Sequence, residues 1–172
     1  HEPDAVTGEL ARAEEVAHEG LKEARSAITQ MRVNAVRETG IGEALTQEYE
    51  RFLNRTGIAG ELAIDPEAAR FADARAETLL RMAQEAIRNI EQHSMATQML
   101  LKLEIADGES LQLRIEDNGV GFDPAVEHPG HYGIVGLREQ AELIGARLHI
   151  ESIPNFGTHS RVEIPLSPVS FK

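Results

Sequence analysis

The sequence predicts an α+β fold, an α/β sandwich in which a mixed, mainly antiparallel sheet is covered by helices on one face. Three observations carry this prediction. Apolar residues recur at three- and four-residue steps over the first third of the chain, they alternate with polar residues at a period of two further on, and turn signals join the alternating segments. Helices followed by a mixture of helices and strands are typical of one sheet with helices packed on it.

The composition is that of a folded protein and disfavours several partners. The 172 residues are 41% hydrophobic and carry a net charge of −12 without a block of Lys or Arg. Neither nucleic acid nor an anionic membrane surface is therefore an expected partner. No apolar run has the roughly 18–20 residues needed to cross a bilayer, and the lack of cysteine fits a reducing compartment. We expect a cytoplasmic fragment without direct membrane contact. This expectation concerns the fragment alone and is compatible with a membrane anchor elsewhere in the parent protein.

The N-terminal segment has the spacing of a long helix that packs against another helix. Its apolar side chains form one narrow stripe, at Leu10, Ala17, Leu21, Ala24, Ile28 and Met31. A second helix must cover this stripe, because each large side chain gains roughly 1.5–3 kcal/mol only on burial. We expect a homodimer through this N-terminal helix. An amphipathic helix packed on its own domain is the alternative.

The later elements follow from changes in the apolar period and from glycine and proline. The sequence predicts, in order, a helix from Ile41 to Phe52 closed by Gly57, a short strand over 57–65, and a long helical stretch over 65–94. It then predicts an antiparallel hairpin over 99–115 that turns at Asp107-Gly108, a glycine-rich loop over 118–136, a helix over 134–144, and strands over 148–152 and 158–165.

The long helical stretch carries a polar stripe with the chemistry of a metal and phosphate site. Glu85, Asn89 and His93 recur every four residues and therefore line one edge of the helix. An amide oxygen is a suitable ligand for Mg²⁺, a carboxylate can polarise an acceptor, and an imidazole can contact a phosphate. Taken alone, such a stripe is more typical of a solvated helix face than of a site.

Two glycine-rich blocks follow the stripe. In the block over 117–123, a strand ends at Asp117, whose carboxylate can accept a hydrogen bond from an exocyclic amine such as that of adenine, and glycines let a ligand approach the backbone. A surface turn is the alternative. In the other block, Gly130, Gly133 and Gly136 lead into a helix whose first N–H groups form an anion site. A flexible loop before a capped helix is the alternative there.

Together, in this order and spacing, the blocks resemble the N, G1 and G2 boxes of the GHKL ATPase superfamily. Within it they resemble the sensor histidine kinases of the nitrate-sensor and desaturase-sensor subfamily. The matching segments are Gln84-Glu85-Ala86 with Asn89 and His93, residues 117–122, residues 131–139, and Phe156-Gly157-Thr158, which is similar to a Gly-Thr pair near the adenine pocket. The resemblance covers the chain from about Gly57 to Leu166.

The resemblance implies an ATP-binding catalytic domain over 57–172, with ATP and Mg²⁺ as cofactors. Residues 1–56 would be part of a dimerisation and phosphoacceptor region with a linker helix. Glu85 would be the catalytic carboxylate, Asn89 the magnesium ligand and Asp117 the reader of adenine. The other contacts with the cofactor would be His93, Gly119, Gly121, Gly133, Gly136 and Thr158.

The function implied by the resemblance is that of a two-component sensor histidine kinase. Such a kinase moves the γ-phosphoryl group of ATP to a histidine of the dimerisation domain and then to an aspartate of a response regulator. The phosphoacceptor histidine is expected outside this fragment, because by this resemblance His18 lies in the wrong helix and no Arg-rich stretch precedes it. The alternatives are a non-catalytic nucleotide-binding module, an anti-sigma-type serine kinase of the same fold, and a coiled-coil adaptor, which would leave the three blocks unexplained.

Overall fold

A computed structural model describes residues 36–123 and 132–166, together with Gly20. The chain divides into two compact units, His1–Ala35 and Val36–Lys172. The predicted N-terminal helix and its expected dimer contact lie outside the described residues, apart from Gly20. The elements below all belong to the second unit, and the domain boundary expected after residue 56 stays a prediction.

The second unit is a mixed sheet with helices. The helices are α1 (Ile41–Thr56), α2 (Ala76–Asn89), which continues into a π-helical turn (Ile90–Ser94), and α3 (Tyr132–Leu143). The strands are β1 (Ala59–Ile64), β2 (Gln98–Ala106), β3 (Ser110–Asp117), β4 (Arg147–Ile153) and β5 (Gly157–Pro165). Their order in the sheet is β1-β2-β3-β5-β4, with only β1 and β2 parallel among these pairs. The predicted mixed, mainly antiparallel sheet is confirmed.

The sheet has one apolar and one charged face, because residues two apart on a strand point to the same side. The apolar face packs with α1 and α2 in one core, to which the strands contribute Met99, Leu101, Leu103, Leu111, Leu113, Ile115, Val162 and Ile164. The opposite face carries ion pairs, Lys102 with Glu104 (2.7 Å), Arg161 with Glu163 (3.2 Å) and Arg114 with Glu116. This division places the helices on one face, as expected from the sequence.

The predicted helical stretch over 65–94 is wrong in its first third. Asp65 Oδ1 accepts hydrogen bonds from two following N–H groups (2.8 and 3.0 Å), but this start yields only a 3-10 turn, Ala68–Arg70. Asp73 then accepts a hydrogen bond from the N–H two residues on (2.8 Å). Aspartate side chains compete with the helical backbone for such N–H groups, and α2 therefore begins only at Ala76.

The other predicted elements that fall on described residues are confirmed, except that α3 begins at Tyr132, within the predicted glycine-rich loop. Three turns are made by residues in the left-handed region, where glycine is strained least. Gly57 (φ 70°) ends α1, Gly108 (φ 69°) lies in the β2–β3 turn, and Gly145 (φ 64°) follows α3. The part of the predicted glycine-rich loop over 124–131 lies outside the described residues.

Helix α1 enters the core through a close approach to the 3-10 turn. Ile41, Leu45 and Phe52 on α1 are fully buried. A Cβ added at Gly42 would lie 2.5 Å from Ala69 Cβ and 2.9 Å from Ala69 Cα. Because these atoms belong to the backbone and to a one-carbon side chain, they cannot move away alone, and α1 needs glycine here.

We predict that Gly42→Ala lowers the free energy of unfolding by about 1–3 kcal/mol, since an added methyl overpacks this contact. The loss occurs although alanine is the better helix former. Urea denaturation measures the change. The matched control is Glu50→Ala on the exposed side of the same helix, which should stay within about 0.5 kcal/mol of the parent. Equal stability of Gly42→Ala and the parent would contradict the close approach.

Candidate functional site

The candidate site lies at the end of the sheet where β3 ends at Asp117. Met99, Asp117, Thr158 and Ser152 form one register row across β2, β3, β5 and β4. This row lies on the same face as Ile115 of the core, because Asp117 follows Ile115 by two residues. The row therefore faces the helix layer, and two predicted site residues, Asp117 and Thr158, are direct neighbours in it.

Asp117 is a buried carboxylate, only 7% exposed. Its Oδ1 accepts a hydrogen bond from the N–H of Gly119 (2.8 Å). Burial raises the pKa of Asp117, and the rise is opposed by hydrogen bonds from the backbone of Gly119 and Thr158 and by the nearby His159. A carboxylate in such surroundings is typical of a functional site, where it can accept a hydrogen bond from a ligand.

The two glycines after Asp117 are required by close backbone contacts. A Cβ at Gly119 would lie 2.1 Å from the carbonyl oxygen of Ser94, which also accepts a hydrogen bond from Val120 N–H (2.7 Å). Gly121 has φ 56°, and its Cβ would lie 2.2 Å from the carbonyl oxygen of Ile153. The described atoms thus explain both glycines by packing of the loop against its neighbours, and their predicted contact with a ligand stays a prediction.

Asn118 fixes the same loop to the start of β2, a role that the sequence reasoning missed. Its Oδ1 accepts hydrogen bonds from the N–H groups of Thr97 and Gln98 (both 2.9 Å), and its Nδ2 donates to Thr97 Oγ1 (2.9 Å). All three partner atoms belong to Thr97 and Gln98, about 20 residues earlier in the chain. No local pattern around residue 118 indicates them.

Ser152 is the other residue that the sequence reasoning missed. It is 8% exposed, and its Oγ accepts a hydrogen bond from Phe122 N–H and donates one to Gly157 O (both 2.9 Å). A third contact joins it to Thr158 Oγ1 (3.0 Å). The available signal was the period of two in β4. Ser152 lies on the same face of the strand as Ile150, so an apolar residue is expected at position 152 and a serine stands there instead.

Helix α2 carries the predicted polar stripe. Glu85 and Asn89 are half-buried on α2, and Glu85 forms an ion pair with Arg88. His93 lies one turn on, in the π-helical turn, and is exposed. That turn ends at Ser94, whose carbonyl oxygen accepts a hydrogen bond from the N–H of Val120 in the loop after β3. The elements that carry Asn89 and Asp117 therefore meet on the same side of the sheet.

Helix α3 places two more predicted residues, Gly133 and Gly136, in its first two turns. A Cβ at Gly136 would meet no atom within 4 Å among the described residues. Glycine within a helix costs roughly 0.5–1 kcal/mol relative to alanine. Packing against the described part of the chain therefore gives no reason for glycine at position 136, in contrast to Gly119 and Gly121.

A cavity of about 420 Å³ opens on the charged face of the sheet, behind Asp117. Its lining includes Glu61, Leu100, Glu116, Phe156 and His159, but among the predicted site residues only Asp117. Glu116 is already paired there, with Arg114 and with His159 Nδ1 (3.3 Å). We therefore assign the site to the row on the helix-covered face, where predicted residues meet.

Two further observations limit the chemistry of the described residues. Within 36–123 and 132–166, no group of three or more His, Asp or Glu side chains is arranged to hold a metal ion. No helix in these ranges has the length and apolar character required to cross a membrane.

We predict that Asp117→Asn alters the pH dependence of stability. Burial raises the folded-state pKa of Asp117 above its ordinary value of 3.8, so between the two values the folded chain binds more protons than the unfolded chain. The free energy of unfolding then falls as pH rises from about 4 through the raised pKa. The variant lacks this component, so its stability relative to the parent should increase with pH.

Urea denaturation of both proteins from about pH 4 to about pH 8 measures this difference. All other carboxylates are shared by the two chains and cancel. A stability difference that does not change with pH would show that Asp117 titrates as an ordinary exposed aspartate.

Three comparisons with known proteins show what this chain is similar to. The sequence profile of a family described as "Histidine kinase-, DNA gyrase B-, and HSP90-like ATPase" matches residues 74–168, more than half of the chain. The chain is also similar to the signal transduction histidine-protein kinase/phosphatase DegS of Brevibacillus brevis, with 28% identity over 164 residues, covering 95% of this chain and 42% of that protein. The sensor protein VraS of Staphylococcus saprophyticus is 30% identical over 154 residues, covering 90% and 44%.

The chain thus spans less than half the length of these curated relatives. Among solved structures, the histidine kinase domain of the blue-light activated histidine kinase from Erythrobacter litoralis EL346 is similar with a TM-score of 0.63 at 21% identity, covering 73% of this chain and 61% of that chain. At this identity the likeness shows the shared fold. The matched residues include α2, the loop after Asp117, α3 and Thr158, so the match covers the candidate site. Because the match extends over more than half of the chain, the chain belongs to the histidine kinase-, DNA gyrase B- and HSP90-like ATPase family.

Proposed function

We propose that this chain is the ATP-binding catalytic part of a two-component sensor histidine kinase, with residues 57–172 as the catalytic domain. The observation that carries the proposal is the buried Asp117 carboxylate, in register with Thr158 and joined through its loop to the end of α2. The relatives named as histidine kinases support it. Since the chain spans only part of them, the activity of the whole protein belongs to the proposal.

The base of the nucleotide is assigned to the Asp117 end of the row. A buried acceptor favours a ligand that donates a hydrogen bond to it, because an unmet buried polar group is costly. The exocyclic amine of adenine is such a donor. The phosphates are assigned to the first turns of α3, where N–H groups without helical partners attract anions and where Gly136 leaves open space.

Magnesium fits this site by the chemistry of its donors. Without a cluster of three ligating side chains in the described ranges, an ion would be held by one protein oxygen together with phosphate oxygens and water, which is the usual arrangement for Mg²⁺. We assign the protein oxygen to the half-buried amide of Asn89. The ion would supply neutralisation of phosphate charge. His93, exposed at the end of the π-helical turn, is assigned a phosphate contact.

Glu85 is proposed as the catalytic carboxylate. It lies one turn before Asn89 on α2 and can accept the proton of an acceptor imidazole, which makes the other ring nitrogen a better nucleophile toward the γ-phosphorus. Phosphoryl transfer leaves the protein mainly the tasks of positioning and charge stabilisation. The proposal also includes an acceptor histidine, a homodimer through the N-terminal helix, a response regulator as partner and a cytoplasmic location.

We expect Asn89→Ala to lower the affinity for ATP in the presence of Mg²⁺ by about tenfold or more, since one ligand of the ion is lost. Without Mg²⁺ the affinity for ATP should not change. Calorimetry with and without the metal measures both affinities. Gln92→Ala, an exposed position on the following turn, is the control and should bind like the parent. An unchanged affinity of Asn89→Ala for ATP with Mg²⁺ would remove the metal assignment.

We expect Glu85→Gln to slow phosphoryl transfer by roughly 10²–10⁴-fold, the usual contribution of a general base. The affinity for ATP should stay within about threefold, because Glu85 is not assigned to ATP binding. The measurement is transfer of label from radiolabelled ATP to an added histidine-bearing helix of a related kinase. Glu50→Gln, exposed on α1, is the control.

The stability of the labelled product separates the proposed function from its alternatives. A phosphohistidine is lost in acid and retained in base, and this result supports the histidine kinase. An acid-stable phosphoserine would indicate a serine kinase, and ATP binding without transfer would indicate a regulatory module.

A further inference from the structure

Ser152 connects three segments around the candidate site, and none of the assignments above uses it. Its Oγ contacts the N–H of Phe122 in the loop after β3, the carbonyl oxygen of Gly157 at the start of β5, and the hydroxyl of Thr158. Ser152 is only 8% exposed. The donors and acceptors of its three contacts can be assigned one by one.

All three contacts of Ser152 are hydrogen bonds at the same time in only one arrangement of the hydroxyl hydrogens. A serine hydroxyl has one hydrogen and two lone pairs. The Gly157 carbonyl can only accept, so it takes the hydrogen, and the Phe122 N–H can only donate, so it takes one lone pair. The contact with Thr158 is then a hydrogen bond only if the Thr158 hydroxyl donates to the second lone pair of Ser152.

This assignment determines what Thr158 offers to a ligand. Its hydrogen is held by Ser152, so its oxygen has only lone pairs left. Its neighbour in the row, Asp117, carries a carboxylate, which offers acceptors as well. The pair Asp117 and Thr158 is thus a row of acceptors without a donor.

We propose that Ser152 is a specificity-determining residue, which selects a purine that carries an amine rather than a carbonyl at its 6-position. The inference rests on the proposed function, in which the base lies beside Asp117. An amine donates to the acceptor row, whereas a carbonyl oxygen is repelled by it. Without Ser152, the Thr158 hydroxyl is free to rotate and to donate to that carbonyl oxygen.

The test compares ATP with inosine triphosphate, which carries a carbonyl in place of the 6-amine and a hydrogen on N1, where adenine has a lone pair. Because the difference at N1 is the same for every variant, the test uses the change of the affinity ratio between variants. In Ser152→Ala, the ratio of the two affinities should fall by about tenfold, the size expected for one hydrogen bond in a buried site. Calorimetry on the full chain measures both affinities. A ratio within about twofold of the parent's, with ATP still bound, would overturn the role of Ser152.

Two variants separate this role from a general loss of stability. Ser160 on β5 also donates from its hydroxyl to a backbone carbonyl, that of Ile115 (2.9 Å), so Ser160→Ala removes a similar bond and should leave the ratio unchanged. Thr158→Val removes the hydroxyl that Ser152 orients. In that background, Ser152→Ala should change the ratio no further, and an independent effect would contradict the proposal.

A further variant and a binding control complete the design. Ser152→Cys keeps a similar size but forms weaker hydrogen bonds, so it should shift the ratio in the same direction even if the alanine variant does not fold. If Asp117→Asn leaves ATP affinity unchanged, the proposed function fails, and the role of Ser152 fails with it. If Asp117→Asn weakens ATP binding but both Ser152 variants keep the parent's ratio, only the role of Ser152 fails.

Discussion

The hydrogen bond from Val120 N–H to the Ser94 carbonyl (2.7 Å) is the contact on which the site depends. It joins the last turn of the helix layer to the loop that leaves β3, and the absence of a side chain at Gly119 allows the two backbones to approach. Helix α2 and β3 already share the hydrophobic core, and this hydrogen bond additionally fixes the loop after Asp117 to the end of the helical segment. Because of it, a helix stripe and a strand end that are more than twenty residues apart contribute to one place.

The site is stabilised by hydrogen bonds of the loop rather than by its acidic residue. Asn118 and Ser152 together bind the loop to the start of β2 and to the β4–β5 turn. Asp117 is buried although burial raises its pKa, because the ionised carboxylate is less favourable in the interior than in water. Such a conflict is common where a residue serves a ligand rather than the fold.

The sequence predicts the fold where the apolar period is regular, and the prediction fails where side-chain hydrogen bonds to the backbone determine the structure. The strands β2 and β3 follow from a period of two. Asp117 is a functional candidate because it ends a strand before two glycines, whereas Thr158 is a candidate only through the family resemblance. The break before α2 was missed because the side chain of Asp73 competes with the backbone. Asn118 was missed because its partners lie about 20 residues away, and Ser152 because its role depends on Phe122, 30 residues before it, as well as on the turn that follows it. The roles of Glu85, Asn89 and His93 are still predictions.

The ion pairs on the solvent side of the sheet have a consequence for how an anion reaches this domain. Lys102, Arg114 and Arg161 each neutralise a neighbouring glutamate, so that surface is hydrophilic but generates little long-range field. The chain as a whole is negative, and a triphosphate approaching it is not steered by attraction over distance. Binding of the triphosphate then depends on short-range contacts, in which backbone N–H groups and fixed hydroxyls determine how slowly it dissociates.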